Sequence, residues 1–147
     1  MPHVRKIIRD AVVSRLTGLS ATGARVYPTR TYPVDVDSLP ALCVYTLSEE
    51  SSVDSLGTNR GLSRRLDLIV EAVARVNATL DDTLDAIALE IETAIAADPT
   101  LGGLAKDCTL ASTRIAVRGE AEKETGAAVL TYSVTYRTPA VNAATTI

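Results

Sequence analysis

Tryptophan and phenylalanine are absent from the 147 residues, and five tyrosines are the only aromatic side chains. A core must therefore be built from Leu, Ile, Val and Ala, each fully buried Leu or Ile contributing roughly 1.5–3 kcal/mol. With 46% hydrophobic residues the chain has enough of them. There is a single histidine, His3, near the N-terminus. Ser-His-acid and Cys-His catalysis need a histidine held by structure, and a fraying end holds it poorly. The two cysteines, Cys43 and Cys108, lie far apart in apolar runs. They read as small buried hydrophobes; no Cys or His cluster has metal spacing, and a disulfide does not suit a reducing compartment.

Other absences narrow the class further. No apolar run approaches the roughly 20 residues that span a bilayer. The opening MPHVRKIIRDAVVSRL is broken by charge and lacks the apolar centre of a signal peptide, so synthesis in a cytoplasm is expected. A formal net charge of −3 argues against a dedicated nucleic-acid binder. The Gly57–Gly61 stretch lacks the Gly-Lys-Ser/Thr of a phosphate loop, so its glycines read as turn residues. Asp81, Asp82 and Asp85 suit the positive end of a helix dipole, which explains them without a divalent ion. No pair of carboxylates stands out for hydrolysis. The expectation is no catalytic set, no metal and no cofactor.

What is present is organised around 62–97. In Leu62–Val76 the residues Leu66, Leu68, Val70 and Ala72 fall on every second position, which puts them on one face of a strand. In Thr79–Ala97 the residues Leu80, Leu84, Ile87, Ala88, Ile91 and Ile95 recur at three and four, which makes one helical stripe. Thr79 followed by Asp82 predicts a capping-box N-terminus, and Asp98-Pro99 stops the helix.

The remaining chain falls on either side. Val4–Leu16 predicts a first helix, with Val4, Ile7, Ile8, Ala11, Val12 and Leu16 in its stripe and Arg5, Lys6, Arg9 and Arg15 off it. Ala24–Pro28 reads as a short strand. Three prolines, Pro28, Pro33 and Pro40, make Thr29–Leu39 a surface arm. Ala41–Ser48 is apolar on both faces, as in a strand covered on both sides; with only two helices in view, the second cover is expected from another subunit. Glu49–Gly61 reads as a long polar hairpin loop, Cys108–Val117 as a fourth strand and Arg118–Gly126 as a charged tip. Ala127–Thr138 predicts a fifth strand with Leu130, Tyr132, Val134 and Tyr136 facing one way. Residues 139–147 read as a loose tail, leaving one domain over 1–138. The fold class is α+β, a mostly antiparallel sheet of about five strands with two helices packed on one face, in the order α-β-β-β-α-β-β.

Several phrases in this order are similar to those of a known family. They are Arg25-Val26-Tyr27-Pro28; Leu39-Pro40 before an apolar strand with Tyr45 and Ser48-Glu49; and Arg64 or Arg65 opening a strand with Leu66, Leu68 and Val70. Leu84-Asp85-Ala86-Ile87 and Ile91-Glu92 follow, and the series closes with Tyr132-Ser133-Val134-Thr135-Tyr136-Arg137-Thr138. To about Thr138 the chain resembles phage tail terminator proteins, the tail-completion group that includes the minor tail protein U type. The resemblance implies a structural virion protein at the head-proximal end of the tail, assembled in the host cytoplasm. It implies a homo-oligomer, a six-membered ring, that caps the tail tube, stops its polymerisation and offers a joining surface to the head. Its implied partners are the tail tube protein, a head-tail connector or neck protein and the end of the tape measure protein. DNA passes through the lumen without specific binding, and no membrane or enzyme activity is involved.

Candidate subunit or partner contacts are the charged residues on arms, loops and strand ends. They comprise Arg30 on the arm, Asp54 and Arg60 in the long loop, Arg64 and Arg65 at the loop-to-strand junction, Glu120, Glu122, Lys123 and Glu124 at the charged tip, and Arg137 in the closing strand. Two other readings compete with the terminator. One is a head-completion or neck adaptor of the connector. The other is a small cytoplasmic enzyme or ligand-binding domain, which needs a polar-lined pocket that these residues do not assemble.

Overall fold

The computed structural model describes residues 1–30, 39–76, 79–120 and 123–147, with the side chains of 118–124 outside the description. The elements run α1 (Val4–Leu16), β1 (Val26–Tyr27), β2 (Ala41–Val53), β3 (Gly61–Val76), α2 (Leu80–Ala96), β4 (Asp107–Glu120) and β5 (Lys123–Pro139). The five strands form one sheet in the order β1-β2-β3-β5-β4. Only the two-residue β1 pairs in parallel; the other three ladders are antiparallel. The expected α+β class and element order are therefore the observed ones. Among the described residues no helix is long and apolar enough to cross a membrane.

Both helices lie on one face of the sheet. The α1 residues Val4, Ile8, Val12 and Leu16 are buried at i, i+4 spacing. Those of α2 are the six residues its periodicity picks out, Leu80, Leu84, Ile87, Ala88, Ile91 and Ile95. They meet Leu42 and Val44 of β2, Leu66 to Ala74 at alternate positions of β3, and Ala128 to Tyr136 at alternate positions of β5, in a single cluster. α1 rests on β1 and β2, α2 on β3, β5 and the near side of β4, and the helices touch each other. Gly126 permits the closest approach: a Cβ there would lie 2.8 Å from Leu80 Cδ2 and 3.1 Å from the Ala116 carbonyl. Cys43 and Cys108 are buried free thiols, and desolvation raises both to about 11.

Several expectations about boundaries need correction. β2 does not end at Ser48 but continues to Val53, so the long loop shrinks to 54–60. Ser48–Val53 pairs residue by residue with Leu62–Asp67, and that cross-strand ladder, not apolar alternation, makes it a strand. For the same reason the charged tip is mostly ladder: β4 and β5 pair from Arg118↔Thr125 to Glu120↔Lys123. The central position expected for β2 holds only for Ala41–Val44, which are fully buried; beyond them Leu47 is 58% exposed and Val53 50%. Most of the 29–39 arm, residues 31–38, lies outside the described residues. The tail folds back instead of hanging loose: Ala143 O accepts from Val4 N at 2.9 Å, Ala140 N donates to Arg60 O at 2.7 Å and Ile147 N to Arg137 O at 3.1 Å.

The two helix N-termini exchange expectations. Thr79 has φ 59 and ψ 32 and its side chain makes no cap bond, since a capping hydroxyl reaches the next turn only from an extended backbone. Its carbonyl does accept the first helical bond, from Thr83 N at 3.0 Å. His3, expected at a fraying end, is instead the extended N-cap of α1, with Nδ1 accepting from Arg5 N at 3.0 Å.

Ile91 sits at the middle of the helix–sheet seam with no exposed surface. Ile91→Ala is expected to lower unfolding stability by about 2–5 kcal/mol, and Ile91→Asp to prevent folding, since a carboxylate there has no partner. Denaturant melts followed by far-UV circular dichroism check both; a native melt for Ile91→Asp would show that the seam is misplaced.

Candidate functional site

A network of charged side chains occupies one end of the sheet, where β2, β3 and β5 pair towards the hairpin. At its centre is Glu49, on the helix-facing side of β2 opposite Leu66. Its side chain is only 10% exposed, as is that of Arg64. Arg5 Nη1 donates to Glu49 Oε2 at 2.5 Å and Arg64 Nη1 to the same oxygen at 3.1 Å. The Tyr136 hydroxyl donates to Oε1, and Arg64 Nε donates to Thr138 Oγ1 at 2.9 Å. One carboxylate thus ties α1, β2, β3 and β5 together. Burial by itself would raise the Glu49 carboxyl; the hydrogen bonds from Tyr136, Arg5 and Arg64 outweigh it and hold it below the usual value of 4.5. Tyr136 is pushed far up, by burial first and then by the bond to Glu49.

A second ion pair closes the hairpin tip. Arg137 grips Asp54 with Nε to Oδ2 at 2.5 Å and Nη2 to Oδ1 at 2.8 Å, the paired geometry that a guanidinium and a carboxylate favour. Gly61 passes beneath this pair, and a Cβ there would lie 2.6 Å from both Arg137 Nη2 and Asp54 Oδ1. Gly61 N donates to Ser55 Oγ at 2.8 Å, and Arg60 Nε to Gly57 O at 3.1 Å.

The candidate residues separate into groups. Asp54, Arg60, Arg64, Arg65 and Arg137 share the hairpin end of the sheet. Arg65 is exposed, opposite Glu50 on β2 and Thr135 on β5. Arg64, its neighbour, is not a free surface cation: at 9% exposure it is spent on Glu49 and Thr138. Reversal of Arg64 would therefore disturb folding as well as any contact. Arg30 stands apart, with its guanidinium 5.2 Å from the Tyr45 ring centre and Nη2 donating to Thr46 O at 2.6 Å. The charged tip is at the other end of β5: Glu120 pairs with Lys123 and Glu124 with Val76. Their side chains, and the whole of Glu122, lie outside the described residues. Glu49 and Tyr136 are the residues that sequence reasoning missed. Their signal was a carboxylate at an inward position of the strand and a phenol within an inward apolar row.

Elsewhere, a cleft of about 340 Å³ lies between the end of α2 and β4, lined by Glu92, Ile95, Cys108, Leu110 and Tyr132 among others. Among the described residues the buried Tyr132 hydroxyl has no hydrogen-bond partner. Among the described residues no three His, Cys, Asp or Glu side chains are grouped as metal ligands. The geometry at the hairpin end is that of a braced, charged platform.

A family model described as phage minor tail protein U matches residues 3–136, from the α1 cap to Tyr136. No curated protein sequence matches. Among solved structures, the chain is similar to one in the "Virion of native gene transfer agent (GTA) particle", at 16% identity over 90% of this chain and 92% of that one, with a TM-score of 0.36.

The network makes stability depend on pH in two windows. Burial, then Arg5 and Arg64, lower the His3 imidazole from 6.5 against the pull of Glu49, so the folded state binds that proton less readily than the unfolded chain. Stability from His3 is present above 6.5 and is lost as the pH falls below it. The lowered Glu49 carboxyl has the same sign one window lower: its contribution is present above 4.5 and lost as the pH falls through the folded value. Melting temperature against pH is expected to fall in these two stages, and His3→Ala to erase the first. Glu49→Ala at neutral pH is expected to cost about 3–5 kcal/mol, because it leaves Arg64 buried without its partner. A loss below about 1 kcal/mol, the scale of an exposed pair, would show that the cluster is a surface feature.

Proposed function

The chain belongs to the phage minor tail protein U family, a family of phage tail components, and from that premise we propose that it is a tail terminator. It is a structural protein of the virion tail. In the proposed role it forms a ring on the last ring of the tail tube, stops polymerisation there and presents a joining surface to the head-tail connector. The observation that carries the reading is the extent of the family match: residues 3–136 take in both helices, β1 to β4 and β5 as far as Tyr136.

Physical features support it. A closed ring is built from two different patches on each subunit, joined head to tail, and this sheet has two dissimilar sides. The charged residues Asp54, Arg60, Arg65 and Arg137 stand on a braced end of the sheet, where they suit contact with the tube or the neck. Lys123, paired with Glu120, stands at the opposite end of β5 from Arg137, roughly 45 Å away at about 3.3 Å per residue. One subunit can therefore meet two different partners along its length. A formal net charge of −3 suits a lumen through which DNA passes without being gripped. Residues 1–138 act as one domain in this reading, its role is structural and not catalytic, and its partners are other copies of itself, the tube protein and the connector.

The test is direct. Purified protein carrying a label is mixed with polymerised tail tubes and imaged by negative-stain electron microscopy. Label at one tube end only, with growth stopped there, is the expected result. Binding at the portal vertex instead would move the chain to the neck adaptors, and binding to neither would overturn the terminator reading.

A further inference from the structure

We propose that subunits join by strand addition, the outer edge of β4 on one copy pairing with the outer edge of β2 on the next. This rests on the ring reading for closure and specifies the contact that builds it. β4 is an edge strand of 14 residues, and its 109–117 stretch is exposed throughout. Ile115 and Val117, opposite Ala128 and Gly126, share the helix-side face but lie beyond α2, and remain 43% and 48% exposed. Exposed edges in natural sheets are usually blunted by shortness, proline, lysine or a bulge; 108–118 contains neither proline nor lysine, and the register shift between Leu110 and Ser112 leaves 112–117 in regular pairing. An edge left this long and this apolar is built for a strand to add to it.

The same sheet supplies the complement. β1 pairs with β2 only at Leu42 and Cys43; beyond them, among the described residues, no strand pairs with the outer side of β2. There Leu47 and Val53 are more than half exposed or close to it. Charge fits as well: between Asp107 and Glu120 at its two ends β4 carries only Arg114 and Arg118, whereas 44–54 carries Glu49, Glu50 and Asp54 and no base. Glu49 and Asp54 are held internally, but Glu50 and Arg114 form no ion pair among the described residues. Direction agrees too. The successive strands β2, β3, β5 and β4 alternate in direction, so a second β2 placed beside β4 continues the sheet antiparallel, using two different edges as a head-to-tail ring requires. The cleft beside Leu110 opens at the same edge, where an incoming chain can offer the orphaned Tyr132 hydroxyl a polar partner.

The experiment uses the full chain, in solution and capping tubes. Hydrogen exchange of the alternate 107–117 amides that point away from β5 is expected to slow at least about tenfold in the assembled ring relative to the dissociated subunit, as new backbone hydrogen bonds form. Ile115→Lys with Val117→Lys should abolish the oligomer in sedimentation while leaving the subunit's melting temperature unchanged. If that pair disturbs folding, the charge cycle decides: Arg114→Glu and Glu50→Arg each weaken association, and together they restore it. A ring that forms normally in these variants, with β4 amides still exchanging fast, overturns the edge contact and leaves the terminator reading intact. A chain that remains monomeric both in solution and on tubes overturns both.

Discussion

A carboxylate removed from water must be surrounded by donors, and the demands of Glu49 fix where four elements can lie. Arg5 has to come from the first turn of α1, Arg64 from β3, and Tyr136 from β5. Two guanidinium groups on one oxygen would repel each other without it, so each member is costly alone and stable only together. The network stands where the helix stripes no longer cover the sheet. Hydrophobic burial holds the middle of the domain, through Leu84, Ile91, Leu130 and their neighbours; charge pairing carries the ordered structure on to the hairpin. Thr138 on Arg64, the Asp54–Arg137 pair and the returning C-terminal segment extend that brace to the tip.

Much of the fold was legible because burial on one face writes a period into the sequence. The six buried residues of α2 and the inward row of β5 are those the spacing selects, and α1 buries four of the six its spacing selects, with Ile7 and Ala11 half-buried at the edge of the stripe. The missing parts share a cause. Ser48–Val53 and the two arms of the β4–β5 hairpin are strands because another strand lies beside them, with water on one or both faces, and exposed ladder residues carry no apolar period. Thr79 had the composition of a cap but a left-handed backbone, and conformation decides whether a side chain can reach the helix end. His3 was discounted for standing near a terminus, yet Ala143 accepts a bond from Val4 and the end is held.

The candidate site shows the same division. Charge type and loop position singled out Asp54, Arg60, Arg65 and Arg137 one by one; the ladders of β2, β3 and β5 are what bring them to one end of the sheet. Charge and position could not separate Arg64 from Arg65, adjacent residues of the same kind. Alternation requires that one of them face the helices and the other face away, and only the register of β3 against Glu49 says which. Nor did charge type indicate that Asp54 and Arg137 satisfy each other, 83 residues apart in sequence. Ion pairs between distant residues are a product of the fold and leave no local trace.

That distinction bears on how a rigid subunit can still be an assembling one. The strongest charges at the hairpin end are neutralised inside the subunit, so a partner meets a platform whose shape is already fixed and does not have to order it on binding. The opposite holds along β4. One edge of it pairs with β5, but among the described residues no strand lies along the other; Ile115 and Val117 stay nearly half exposed, and Arg114 forms no ion pair there. A sheet braced at one end and open along one edge separates two tasks within 147 residues. The internal ion pairs hold the form of the subunit, and in the proposed ring the open edge supplies the directional bonds by which copies align.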